Sequence, residues 1–181
     1  MKLRSLAGVA FSVAAFAAPA EAEISAYTAL DLATCRMEPV NPKDPLQSGI
    51  WHCDGHLGAP VYVAEGDLRF FVSYGPNAAA EIAATQTLPP FNRIHTTLEW
   101  RLDPAGFPFA TILRFFTDRG DGTEGQILVV TRIGGPVCHV AYVDARANAN
   151  ANALAQQAAD LFARSFNCDI NTPVWIGAGG L

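Results

Sequence analysis

The chain is poor in charge: 16% of its 181 residues are Asp, Glu, Lys or Arg, and it holds four histidines and two methionines. It has no basic run and no arginine-rich stripe, and its formal net charge is −5. Nucleic acid therefore finds no electrostatic footprint on it and is not an expected partner. No apolar stretch reaches the ~20 residues that a membrane-crossing helix needs, so no membrane anchor is expected. Neither Gly-x-Ser-x-Gly nor a phosphate-binding loop occurs, which removes the usual nucleophile elbow and the usual cradle for nucleotide phosphates. No cofactor is expected. An Asn-x-Ser/Thr acceptor is also missing, since Asn171-Thr172-Pro173 has the wrong spacing. Internal repeats and long linkers are absent as well.

What is present at the front is an export signal. Lys2 and Arg4 precede a run of apolar and small residues from Leu6 to Ala18, and Ala20-Glu21-Ala22 supplies the small-x-small pattern of a signal-peptidase site. Residues 1–22 are read as a signal peptide cleaved after Ala22, which predicts a periplasmic or secreted protein. Losing Lys2, Arg4 and Glu21 leaves the mature chain one unit more acidic. Cys35 lies well beyond the cut, so lipid attachment at a new N-terminus is not expected.

Four cysteines in an oxidising compartment imply two disulfides, with three connectivities open to them. The sequential one, Cys35 with Cys53 and Cys138 with Cys168, is expected, because each bridge then closes a short loop worth about 3 kcal/mol. His52-Cys53-Asp54-Gly55-His56 places two imidazoles around a cysteine, but a bridged cysteine is not a thiolate ligand. No metal site is assigned.

Residues 23–169 are read as a single exported α+β domain and 170–181 as a flexible tail. After a Pro- and Gly-punctuated loop from Asn41 to Gly49, Ile50–Cys53, Pro60–Ala64 and Leu68–Tyr74 carry β-branched and aromatic residues. Glu65-Gly66-Asp67 makes a hairpin turn between the last two. Ala78–Thr85 predicts a short helix, halted by Pro89-Pro90. Thr97–Leu102, Phe107–Thr117, Gln126–Ile133 and Val137–Asp144 are four strands separated by turn-rich segments, an antiparallel meander. Leu154, Ala158, Leu161, Phe162 and Ser165 then recur at helical spacing, with Asn150 or Asn152 as the N-cap.

Pairing Leu102 with Phe107, Phe116 with Ile127 and Val130 with Val140 sorts the meander into two faces. Leu98, Trp100, Phe109, Leu113, Phe115, Leu128, Val130, Cys138, Val140 and Tyr142 form the expected seat of the C-terminal helix. The other face mixes apolar residues with Glu99, Arg101, Arg114, Thr131 and His139, and is expected to lie under the N-terminal hairpin and the short helix. Those five polar residues are the candidate ligand-binding set. Two guanidinium groups beside a carboxylate and an imidazole suit a small anionic ligand.

Asp118-Arg119-Gly120-Asp121-Gly122-Thr123-Glu124 has spaced carboxylates, but glycine stands at the third and fifth positions where a calcium loop needs oxygen ligands, so it is read as a hairpin turn. Glu65, Asp67 and Glu99 are each expected to cap a turn or pair with arginine rather than to form a hydrolytic carboxylate pair. No catalytic residue is assigned.

The strings Tyr27-Thr28 through Leu30-Asp31-Leu32 to Cys35, Trp51-x-Cys53-x-Gly55, Val61 to Arg69, Thr97 to Leu102 and Cys138 to Asp144 resemble those of a family of small exported proteobacterial proteins. The resemblance implies a self-standing exported domain and carries no activity with it. Ser48-Gly49-Ile50-Trp51 and Ser73-Tyr74-Gly75 are loosely similar to the inhibitory loop of periplasmic lysozyme inhibitors, although the tyrosine position is not kept.

The sequence thus predicts an antiparallel meander with a C-terminal amphipathic helix on one face, an N-terminal hairpin, a short helix and two disulfides. The function expected is non-catalytic binding of an envelope protein or a small anionic ligand. The alternatives are a lysozyme-inhibitor-like protein or a small envelope hydrolase using His139 with Arg101 or Arg114.

Overall fold

The computed structural model describes residues 24–40, 42–43 and 48–177. The expected signal peptide and its cleavage point lie outside the described residues, as does most of the loop from Asn41 to Gly49.

The meander forms as its turns and β-branched runs dictate. It comprises β6 (Asn92–Leu102), β7 (Pro108–Asp118), β8 (Glu124–Arg132) and β9 (Cys138–Asp144). At the β6–β7 turn the Asp103 carboxylate accepts the Phe107 N–H at 2.8 Å, and Gly106 adopts φ +86°, a conformation closed to most side chains. Two strands extend the meander into a six-stranded sheet. β1 (Ile24–Ala29) pairs antiparallel with β6, and β10 (Val174–Ile176) pairs in parallel with β9. Of the tail expected over 170–181, residues 174–177 are thus held on the sheet: Ile176 is fully buried, and Asn148 donates to the Gly177 carbonyl at 2.8 Å, while 178–181 lie outside the described residues.

A second, four-stranded antiparallel sheet runs in the order β2 (Arg36–Met37), β3 (Gly49–Asp54), β4 (Pro60–Gly66), β5 (Arg69–Tyr74). The β4–β5 hairpin turns on Asp67 and Leu68, both at positive φ. That twist suits a two-residue hairpin loop. The expected helix over Ala78–Thr85 is instead two single 3-10 turns, Ala78–Ala80 and Ile82–Thr85. Alanine propensity alone does not sustain a helix this short.

The six-stranded sheet is the middle of three layers. On one side Leu98, Trp100, Leu113, Phe115, Ile127 and Val129 meet Val61, Val63, Val72 and Tyr74 of the smaller sheet. On the other, Ile112, Leu128, Val130, Cys138, Ala141 and Val143 meet Ala151, Leu154, Ala155, Ala158 and Ala159 of α1 (Ala151–Phe162). Small alanine side chains let the helix lie close on the sheet. Each large side chain buried in these layers stabilises the fold by roughly 1.5–3 kcal/mol. Leu161 and Ser165, expected on the buried stripe, face solvent. Asn150 holds the N-cap position without a capping hydrogen bond from its side chain.

Both expected disulfides are present. Cys35–Cys53 ties the segment entering β2 to β3, with Cα atoms 4.7 Å apart, and Cys138–Cys168 ties β9 to the chain beyond α1, with Cα atoms 5.8 Å apart.

Candidate functional site

Register decides which polar side chains meet, and the structure differs from the sequence expectation by one residue at each meander pair. Leu102 pairs with Pro108, Phe116 with Gln126, and Val130 with Ala141; irregularities fall between Arg101 and Leu102 and between Val130 and Thr131. A one-residue slip moves a strand's side chains to the opposite face. Helix α1 therefore covers the face of Glu99, Arg101 and Arg114, and the smaller sheet covers that of Leu98, Trp100, Leu113 and Phe115, the reverse of the expected assignment for β6 and most of β7, whereas Phe109, Leu128, Val130, Cys138 and Val140 pack with α1 as expected. Thr131 and His139 lie on the second face, across the sheet from the other three candidates.

Under α1 the polar groups are consumed by one another. Arg101 donates through Nε and Nη2 to the two carboxylate oxygens of Asp160, at 3.0 and 2.7 Å, and through Nη1 to Ser25 Oγ at 2.7 Å. Glu99 Oε1 accepts from Ser25 Oγ at 2.5 Å and from Gln156 at 2.7 Å. Glu99 and Arg101 are 8% and 6% exposed, so this network joins β1, β6 and α1 and presents little to solvent. Arg114 donates to Gln126 and to Asn152 of α1.

His139 is buried at 1% exposure, with Nδ1 2.9 Å from the Tyr142 hydroxyl, and its backbone N–H donates to Gln86, just past the second 3-10 turn, at 2.7 Å. Burial pulls the imidazole down to about 3 and pushes the Tyr142 phenol up to about 12. The ring is thus a neutral interior group, separated by the sheet from Arg101 and Arg114. Ser73 and Tyr74 are also buried, and Gly49 is held in β3. The Asp118–Thr123 segment is the β7–β8 turn. It carries Gly120-x-Gly122-x-x-Gly125, the glycine spacing of dinucleotide-binding loops. Here that spacing joins two antiparallel strands, so no helix N-terminus stands behind it to receive a phosphate.

A different constellation lies on the outer face of the smaller sheet. The register sets Arg36 opposite His52 and His52 opposite Tyr62, one cross-strand row over β2, β3 and β4. The row forms part of a groove of about 700 Å³ whose lining also includes the Cys35–Cys53 bridge, Asp54 and Gly75–Ala80. His52 Nε2 lies 2.6 Å from Glu38 Oε1, and its ring meets Tyr62 edge-on at 5.9 Å. Desolvation, then the Glu38 carboxylate, raises the Tyr62 phenol above its ordinary range, so the hydroxyl keeps its proton as a donor. The Arg36 side chain is exposed and makes no hydrogen bond or ion pair among the described residues.

Nothing local in the sequence joins these residues: His52 belongs to a two-imidazole string without a ligand set, and Arg36 and Tyr62 meet it only through the β2–β3 and β3–β4 pairings. Comparison with protein families, curated proteins and solved structures finds no match to this chain.

Proposed function

We propose that the chain is an exported, non-catalytic binding domain, periplasmic or secreted, that takes a small anionic ligand in the groove beside Cys35–Cys53. One observation carries the reading: Arg36 brings to a concave polar surface a guanidinium that pairs with no described residue. Such a group retains its planar fork of donors for two parallel bonds to a carboxylate. Tyr62 and Asn77 add neutral hydrogen-bonding groups to the same walls. Asp54 disfavours a second negative charge on the ligand, so a monoanion fits best.

Export is supported by the two disulfides, which suit an oxidising compartment. No helix of the described residues is long and apolar enough to cross a membrane. The cut after Ala22 and kinship with small exported proteobacterial proteins belong to the same proposal. A binding role fits better than hydrolysis because, among the described residues, no serine and no free thiol lines the groove, and its one aliphatic hydroxyl, Thr34 Oγ1, donates to the Asp31 carbonyl at 2.8 Å.

The test is an NMR titration of the oxidised protein with acetate and benzoate at constant ionic strength. Saturating shifts confined to Arg36, His52, Tyr62 and Gly75, lost in Arg36→Gln, are expected. Shifts that stay linear into the tens of millimolar, or that persist in the variant, would remove the proposal.

A further inference from the structure

The groove ends on a rim that it shares with a second cavity. Gly75, Pro76 and Asn77 line both the polar groove and a chamber of about 370 Å³ at one end of the sandwich, where the two sheets part. The chamber's other walls are largely apolar: Ala59, Tyr74, Trp100, Pro108, Ile133 and Val137. Tyr74 and Trp100 meet edge to face at 5.7 Å and are almost wholly buried, which gives the chamber a rigid back wall.

The rim between the two spaces is low. Gly75, which lines both spaces, adopts φ +93° and contributes no side chain to the rim, and a Cβ built on it meets nothing within 4 Å. Charge then distinguishes the two ends. The groove holds Arg36, which pairs with no described residue, as well as Asp54, whereas the chamber's one charged lining residue is Glu81, whose Oε2 accepts the Val137 N–H at 2.8 Å. A negative head is attracted to the first place and repelled from the second, while an alkyl chain gains only in the second.

We propose that the ligand is a single-chain anionic amphiphile, an alkyl carboxylate whose head pairs with Arg36 and whose tail crosses the Gly75 rim into the Trp100 chamber. This rests on the reading of the groove as an anion site and adds the tail, its direction and its seat. The chamber's volume lies at the lower end of the range for small-molecule sites, which suits a chain of about eight carbons rather than a long acyl chain.

The experiment is calorimetric titration of the oxidised protein with acetate, butanoate, hexanoate, octanoate and decanoate below their micellar concentrations, with 1-octanol as the uncharged control. Affinity is expected to rise roughly three-fold per methylene, a little under the full transfer value because burial is incomplete, and to level off near eight to ten carbons. Octanoate, unlike acetate, should shift the Trp100 indole N–H and the Ile133 and Val137 amides. Arg36→Gln should weaken every acid by a similar factor and keep the chain-length slope. Ile133→Glu should abolish the slope and leave acetate binding in place, which also shows that the variant is folded. Equal affinity for acetate and octanoate would overturn the tail while the groove reading survives. If 1-octanol binds as tightly as octanoate, the pairing of head and tail is overturned. If no acid binds at all, the groove reading falls with it.

Discussion

Arg101 and Asp160 form a two-pronged pair between β6 and α1, with donor–acceptor distances of 3.0 and 2.7 Å, and the arginine side chain is 7% exposed. The C-terminal end of the helix is thus fastened to the sheet twice, by this pair in its last turn and by Cys138–Cys168 just beyond it.

Removing one partner of such a pair leaves a buried charge uncompensated. Asp160→Ala should lower unfolding stability by about 2–3 kcal/mol in urea, at the low end for buried pairs because Asp160 is partly open to solvent. The double change Arg101→Met, Asp160→Leu should cost less than Asp160→Ala alone. A loss below about 0.5 kcal/mol for the single change would show that Arg101 finds another partner.

His139 links stability to pH. Its folded-state value near 3 lies below the ordinary imidazole value of 6.5, so between the two the unfolded chain binds more protons. Stability is therefore full above about pH 6.5 and declines as pH falls toward 3, at up to about 1.4 kcal/mol per pH unit. His139→Gln should flatten the urea midpoint between pH 7 and 4.5. An unchanged slope in that variant would assign the acid sensitivity to other groups.

Gly55 has no room for a side chain: a Cβ placed on it falls 2.2 Å from Trp100 Cζ2. Trp100 is fully buried and donates its indole N–H to Thr28 Oγ1 at 2.9 Å, so it has little freedom to yield. Gly55→Ala should cost about 1–3 kcal/mol through overpacking, with a change in Trp100 fluorescence. Wild-type stability would mean that the Gly55 loop moves instead.

The two disulfides should report on different parts of the fold. Their sequence separations of 18 and 30 predict similar stabilisation, about 3–4 kcal/mol each on a chain-entropy account. Hydrogen exchange should separate them. Replacing Cys35 and Cys53 by serine should loosen β2 and the Arg36 row, while replacing Cys138 and Cys168 should loosen α1 and β10. Equal exchange patterns in the two variants would contradict the layered arrangement.

Much of this architecture could be read directly from residue order. Strands lie where β-branched and aromatic runs are bounded by Asp, Gly and Pro, as in β7, and α1 lies where alanines and Leu154 recur at helical spacing. The cysteines pair with their sequence neighbours. These features depend on local chemistry, and local chemistry is present in any short window of the chain. The expected export signal is equally local, lying in Lys2 through Ala22.

Which side chains share a face was settled only in three dimensions. Turn length leaves pairing uncertain by one residue, and the irregularities beside Arg101 and Thr131 each shift the phase, so Thr131 and His139 part from Glu99, Arg101 and Arg114. β10 was invisible for a related reason: three residues carry little periodicity, and they become a strand only because α1 returns the chain beside β9. The groove joins Arg36, His52, Tyr62 and Gly75, which only the folded smaller sheet brings together. Proximity between residues distant in the chain is created by burying the two apolar layers, and no stretch of sequence holds that information alone.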